Sequence, residues 1–308
     1  MAYLRGFGKY LPERVVDNVE MAGLLGVEPE WIREMSGIEA RRFARGDETV
    51  AGMAAAAGTE ALERSGVVAT ELGLILVASG SSERRFPGPA SEVQHLLGAA
   101  QAVAMDVPMA SAGALFALAQ AEVWAARAGK ILVVAAEKMS GAVMTEPMEA
   151  GTAMLFGDGA GACVVDSQVG RARIVDFELR TDGSNAGELK LEFGAAVHMN
   201  GRTVILHAAR KVPAVIRAVL TRSGLEPTDV RVFLMHQANA NLLVKIARTL
   251  GVAADQFYSN IARYGNTSSA SMLIAAREWD EGFASGDKVV FAAFGAGFQW
   301  GAMLVEGV

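Results

Sequence analysis

The chain has 308 residues, 52% of them hydrophobic and 34 of them glycine, which is enough to bury one large core or two fused ones and too apolar for a disordered chain. A net charge of -6 and a pI near 5.4 provide no general basic field, which argues against nucleic acid and anionic membrane as partners. The single cysteine, Cys163, cannot form an internal disulfide, the first ten residues lack an apolar leader core, and no apolar stretch is long enough to span a bilayer, so the expected setting is soluble and cytoplasmic.

Taken in order, Tyr3 to Gly8 reads as a short strand. Asn18 to Leu25 and Glu30 to Met35 read as short helices, the second carrying Trp31. Val50 to Ser65, rich in Ala and Gly with one charged side, is expected to be a helix packed closely on something flat. Leu72 to Ala78 is an uninterrupted apolar run of strand length, the pattern of a strand covered on both faces. A loop from Ser79 to Pro89 carries Arg84, Arg85 and Phe86, and a helix from Ala90 to Leu97 stops at Gly98. The stretch from Asp106 to Leu118 then passes from an extended apolar approach through small residues into an Ala-rich helical run. Ser111 therefore stands at a strand-to-helix turn, where free N–H groups and a positive dipole end favour a nucleophile. The same small residues also suit plain packing of a helix against a sheet, and G-x-S-x-G is not matched. Ile131 to Ala136 is a further buried strand. The run Gly157-Asp158-Gly159-Ala160-Gly161-Ala162-Cys163-Val164-Val165 lacks the Lys-Ser/Thr of a phosphate loop and is expected to be tightly packed strand.

The second half repeats this plan. Val230 to Met235 matches the Leu72 strand, Thr249-Leu250-Gly251 matches Leu96-Leu97-Gly98, and Gly286 to Ala293 matches Gly129 to Ala136. Strands alternating with helices imply parallel sheets, and the repeat implies two pseudo-equivalent α/β halves, residues 1–165 and 166–308. Polar groups concentrate in the second half. Met235-His236-Gln237-Ala238-Asn239 closes a buried strand, Tyr264-Gly265-Asn266-Thr267-Ser268-Ser269-Ala270-Ser271 precedes a helix, and Phe294-Gly295-Ala296-Gly297-Phe298 turns between two strands. An imidazole and a carboxamide can stabilise an oxyanion or enolate. Each segment also has a plain reading, as a structural His, a helix cap and a hairpin.

Together, the Ser111 turn, FGDGAGA, HQAN, YGNTSSAS and FGAGFQWG, in this order from Tyr3 to Val305, resemble the β-ketoacyl-acyl-carrier-protein synthase III family of the thiolase superfamily. The resemblance implies a five-layered αβαβα thiolase fold and a homodimer. It also implies self-acylation from an acyl-CoA or acyl-carrier protein, condensation with malonyl-carrier protein, and no tightly bound cofactor or metal. His236 and Asn266 fall on the family's His and Asn, and the backbone at Ser111 and Ala296 on its oxyanion hole. Trp31 falls on its adenine-stacking Trp, Gly201 on its CoA-channel Gly, and Phe86 on the residue that reaches the partner's acyl pocket, although a loop Phe also suits ordinary packing.

Two departures stand out. The family's nucleophile is Cys, and here it is Ser111; an alkoxide needs a general base where a thiol does not, so His236 would take the Ser111 proton. Met35, Ala150, Leu206 and Asn241 stand where the family usually places cations, with Arg33, Arg202, Arg210, Lys211 and Lys245 nearby in sequence. The expected function is acyl transfer of the 3-oxoacyl-carrier-protein synthase III type through Ser111, in fatty-acid or polyketide-like biosynthesis. The alternatives are a non-decarboxylating acyltransferase, a thioester hydrolase, a catalytically impaired scaffold subunit, or a cysteine replaced by design.

Overall fold

In the computed structural model, which describes residues 1–279 and 282–308, the apolar runs become strands of one hydrogen-bonded sheet. Its strands are β1 (Tyr3–Tyr10), β2 (Leu72–Ala78), β3 (Val103–Val107), β4 (Lys130–Glu137), β5 (Gly159–Asp166), β6 (Ala172–Thr181), β7 (Val232–Met235), β8 (Lys288–Gly295) and β9 (Gln299–Gly307). The main helices are α1 (Asn18–Leu25), α2 (Pro29–Ser36), α3 (Val50–Ser65), α4 (Pro89–Leu96), α5 (Gly113–Ala128), α6 (Gly201–Arg222), α7 (Ala240–Leu250) and α8 (Ser271–Trp279).

The strand order is β7-β8-β9-β6-β1-β5-β4-β2-β3. β1 and β6 meet only through Tyr3 with Arg173 and Leu4 with Ala172, so the sheet is two sheets joined at a corner. The order repeats. β2, β4, β5 and β1 on one side correspond to β7, β8, β9 and β6 on the other, and where the first has β3 the second has a single parallel bridge, Phe233 to Phe257. β2 is parallel to β3 and β4, and β7 is parallel to β8.

Five layers result. α3 and α4 cover the outer face of the first sheet, α6 and α7 that of the second, and α5 and α8 lie between the two. In β2, Leu74 and Leu76 face the central layer while Ile75 and Val77 face α3. In β8, Val289 and Phe291 face inward while Val290 and Ala292 face α6 and α7. Coverage on both faces is why these strands show no polar alternation. α5 buries Ala114, Ala117, Ala121 and Ala125 beside Leu115 and Leu118, small side chains that let both sheets close on one helix. Each fully buried Leu contributes about 1.5–3 kcal/mol.

One expectation changes. The approach to Ser111 is apolar in sequence, yet β3 is an outermost strand with Val103 and Met105 exposed. Among the described residues, no helix is long and apolar enough to cross a membrane. The C-terminal ends of β2, β4, β7 and β8 point to one region, the usual place for a ligand in open α/β sheets.

Candidate active site

Ser111 sits between the end of β3 and the start of α5 with φ 61°, a left-handed conformation that costs a non-glycine residue about 1–2 kcal/mol. No side chain caps α5, so the positive end of its dipole is directed at this turn. The backbone of Gly295 presses on the turn from β8: a Cβ there would lie 2.5 Å from the Ala110 carbonyl oxygen and 3.0 Å from Ser111 Cβ. Only glycine allows that approach.

His236 follows β7, its N–H donated to the Ala292 carbonyl. Its Nδ1 lies 2.7 Å from Ser271 Oγ, which also accepts the Gln237 N–H and donates to the Ser268 carbonyl. The single hydroxyl proton of Ser271 goes to that carbonyl, so Nδ1 carries a hydrogen and Nε2 holds a lone pair, a tautomer assigned from the donors and acceptors around it. Burial pulls the imidazole down to about 4, against a weaker pull upward from the Ser268 backbone, so His236 is neutral at pH 7.

Asn266 is held by backbone and side chain alike. Its N–H donates to the Leu155 carbonyl and its carbonyl accepts from Gly157 N–H, so the first residue of the Gly-rich run helps to fix the asparagine. Asn266 Oδ1 accepts the Ser268 N–H at 2.9 Å, which leaves its amide hydrogens directed elsewhere, with Ala238 O at 3.5 Å. Behind these residues lies Glu137, fully buried at the end of β4. Its carboxylate accepts from Gly80 N–H and Ser81 Oγ on one oxygen, and from Ser268 Oγ and Ser269 Oγ on the other. Burial pushes this carboxyl above the ordinary range, against the pull of those donors.

Ser111, His236 and Asn266 line one cavity of about 360 Å³, with Trp31 and Gly201. A Cβ on Gly201 would meet only Met199 Cε at 3.8 Å, so open channel rather than packing surrounds it. Ser111 and Ala296 also line a second void of about 40 Å³ beside Phe156 and Val197. Phe86 lies elsewhere: it is 86% exposed, on the loop after β2. The Ser111 N–H, read from the sequence as an oxyanion donor, is already given to Ser268 Oγ at 3.0 Å, so an oxyanion would have to compete for it. Cys163 is buried in β5 facing the central layer, which excludes it from the cavity.

Residues 105–183 match the family model described as 3-oxoacyl-[acyl-carrier-protein] synthase III, and residues 220–307 match its C-terminal model. A β-ketoacyl-[acyl-carrier-protein] synthase III of Gloeobacter violaceus is 36% identical, covering 98% of this chain and 97% of that protein. The chain belongs to the synthase III family. A solved 3-oxoacyl-[acyl-carrier-protein] synthase III from Aquifex aeolicus superposes with a TM-score of 0.95 at 35% identity, covering 99% of this chain and all of the other. A priming β-ketosynthase of a polyketide pathway superposes with a TM-score of 0.90 at 31% identity, covering 100% of this chain and 96% of that one. The layers described above are thus the thiolase fold.

Of the four positions where cations were expected, Met35 lines the cavity. Met35 and Leu206 are exposed, and Asn241 turns its side-chain amide onto the Glu34 and Met35 carbonyls, tying α7 to the end of α2. Arg202 lines the cavity, whereas Lys211 is committed to Asp182 at 2.6 Å and sits over the Trp300 ring. Glu137 escaped sequence reasoning because it ends a Val-Ala run as if it were a surface cap. Its only signal is a carboxylate placed where a buried parallel strand stops.

Proposed function

We propose that this protein is an acyltransferase of the 3-oxoacyl-[acyl-carrier-protein] synthase III type that takes an acyl group from a CoA or carrier-protein thioester onto Ser111 Oγ. The observation that carries this reading is a serine on a left-handed turn at a helix start, sharing one cavity with an imidazole whose Nδ1 is engaged by Ser271 Oγ. Nε2 takes the Ser111 proton as Oγ bonds to the acyl carbon. The carbon–sulfur bond then breaks, and the proton passes to the departing thiolate. The Ala296 N–H and the α5 terminus offset the oxyanion charge, and the Asn266 amide would stabilise an enolate formed by loss of CO₂ from a malonyl acceptor.

The serine oxoester is a weaker acyl donor than a thioester, so transfer to a heteroatom nucleophile or to water gains on carbon–carbon bond formation. The neutral His236 with its bare Nε2 favours the same outcome, because in that form it accepts a proton and donates none to an enolate. Intact-mass spectrometry after exposure to acyl-CoAs and acyl-carrier proteins should show a stoichiometric adduct on Ser111. No adduct with any donor overturns the proposal, and free acid released without malonyl dependence reassigns the site to hydrolysis.

The apolar mouth implies weak binding of the CoA phosphates. Installing Met35→Arg and Asn241→Arg together should tighten acetyl-CoA binding at least tenfold by calorimetry, since each charge-assisted bond contributes about 1.5–3 kcal/mol. Low-micromolar affinity in the parent protein would contradict this. The assembly we propose is a homodimer across β3, whose exposed Val103 and Met105 form an apolar edge that a monomer would leave open. Light scattering should give twice the chain mass, reduced to the single-chain mass in Val103→Lys/Met105→Lys; a monomeric parent would refute the assembly.

A further inference from the structure

Ser268 stands at the centre of the site without being a reacting group in the reading above. Its Oγ accepts the Ser111 N–H at 3.0 Å, its own N–H donates to Asn266 Oδ1 at 2.9 Å, and its carbonyl accepts from Ser271 Oγ, the hydroxyl that holds His236 Nδ1. One residue thus touches the nucleophile and the carboxamide directly and the base through one hydroxyl. It does so from φ 47°, a left-handed conformation that a serine keeps only when its surroundings impose it. The imposing group is the buried Glu137 carboxylate, which accepts from Ser268 Oγ at 3.0 Å and from Ser269 Oγ at 2.7 Å and N–H at 3.3 Å. Its other oxygen takes Gly80 N–H at 3.0 Å and Ser81 Oγ at 2.5 Å, anchoring the clamp in the loop after β2.

We infer that Ser268, clamped by Glu137, is the positioning residue that sets Ser111, His236 and Asn266 in mutual register. The inference rests on the acyl-transfer reading for its kinetic consequence and on geometry alone for its structural one. The Ser268 hydroxyl has one hydrogen. Spending it on Glu137 orients the oxygen lone pairs, one of which receives the Ser111 N–H and fixes the strained turn. Without that acceptor, the turn can relax and carry Oγ away from Nε2. An angstrom of such misplacement is costly to a reaction that depends on aligned groups. Glu137→Gln places an NH₂ group against donors on whichever side it faces, so it should loosen the clamp while nearly conserving shape.

Two measurements test this on the intact protein. Hydrogen exchange should show the Ser111 amide exchanging at least tenfold faster in Ser268→Ala and in Glu137→Gln. In single-turnover acylation with an acyl-CoA, both variants should lose at least tenfold in the rate constant at saturation while the half-saturating concentration moves less than threefold. The double variant should lose no more than the larger single loss. Ser269→Ala, which removes a Glu137 contact without touching the three residues, should lose at least threefold less than Ser268→Ala. Unchanged exchange at Ser111 overturns the inference, as does a loss confined to half-saturation. Should the parent not acylate at all, the acyl-transfer reading falls, and the exchange result still judges the clamp.

Discussion

Replacing Ser111 by cysteine is expected to raise malonyl-dependent condensation by on the order of a hundredfold, about 3 kcal/mol of barrier, while Ser111→Ala removes every acyl adduct. A thiol with an ordinary pKa near 8.5 is a few per cent thiolate at pH 7, and its acyl thioester is the better electrophile for a carbanion. The serine must instead wait for His236 to take its proton. Product analysis by mass spectrometry with malonyl-carrier protein present separates the outcomes. A cysteine variant that labels rapidly yet condenses no faster would locate the obstacle in malonyl binding, at the Met35–Asn241 mouth rather than at the nucleophile. Ser111→Gly adds a stability readout: it relieves the left-handed strain at φ 61°, so thermal unfolding should show no destabilisation although the reactive group is gone.

The second large effect belongs to His236. Its removal as His236→Ala is expected to lower acylation of Ser111 by roughly 10²–10⁴-fold, the range of a positioned general base. Burial holds the imidazole at about 4, so the base form persists through the neutral range. The acylation rate should therefore be level from pH 8 to pH 5, halve near pH 4 and fall about tenfold per unit below it. The stability sign follows from the same depression. The unfolded chain protonates His236 near 6.5, above the folded value of about 4, so the folded state gains relative stability above pH 6.5 and loses it as pH falls through 4. A shift of this size corresponds to about 3 kcal/mol. Stopped-flow acylation across pH, with denaturant titrations of parent and His236→Ala at pH 7 and pH 4, checks both. A rate that halves near pH 6.5 would refute the buried neutral imidazole.

Much of the architecture was legible because local pattern and tertiary environment agree. Leu72 to Ala78 reads as a strand covered on both faces and Ile131 to Ala136 as a further buried strand, and both are covered because α3 lies on one side and α5 on the other. The repeated Gly-Lys-strand unit at Gly129 and Gly286 marks equivalent strands, β4 and β8, in the repeated order. Ser111, His236 and Asn266 were singled out only by the ordered set of motifs, since the segment around each also had a plain structural reading.

What the sequence determined by itself was the strand and helix pattern, encoded within a dozen neighbouring positions, and the repeat, carried by matched apolar runs half a chain apart. Tertiary structure alone decided how those residues are held. Ser111 meets Ser268 across 157 positions of chain, and Ser268 meets Glu137 across 131. No local pattern announces such contacts: the Glu137 carboxylate ends an apolar run like any strand-terminal charge, and Ser268 reads as one more hydroxyl in a polar turn. Packing two sheets around α5 and α8 brings these ends together. Burial then depresses the imidazole, fixes its tautomer and makes each hydroxyl proton count.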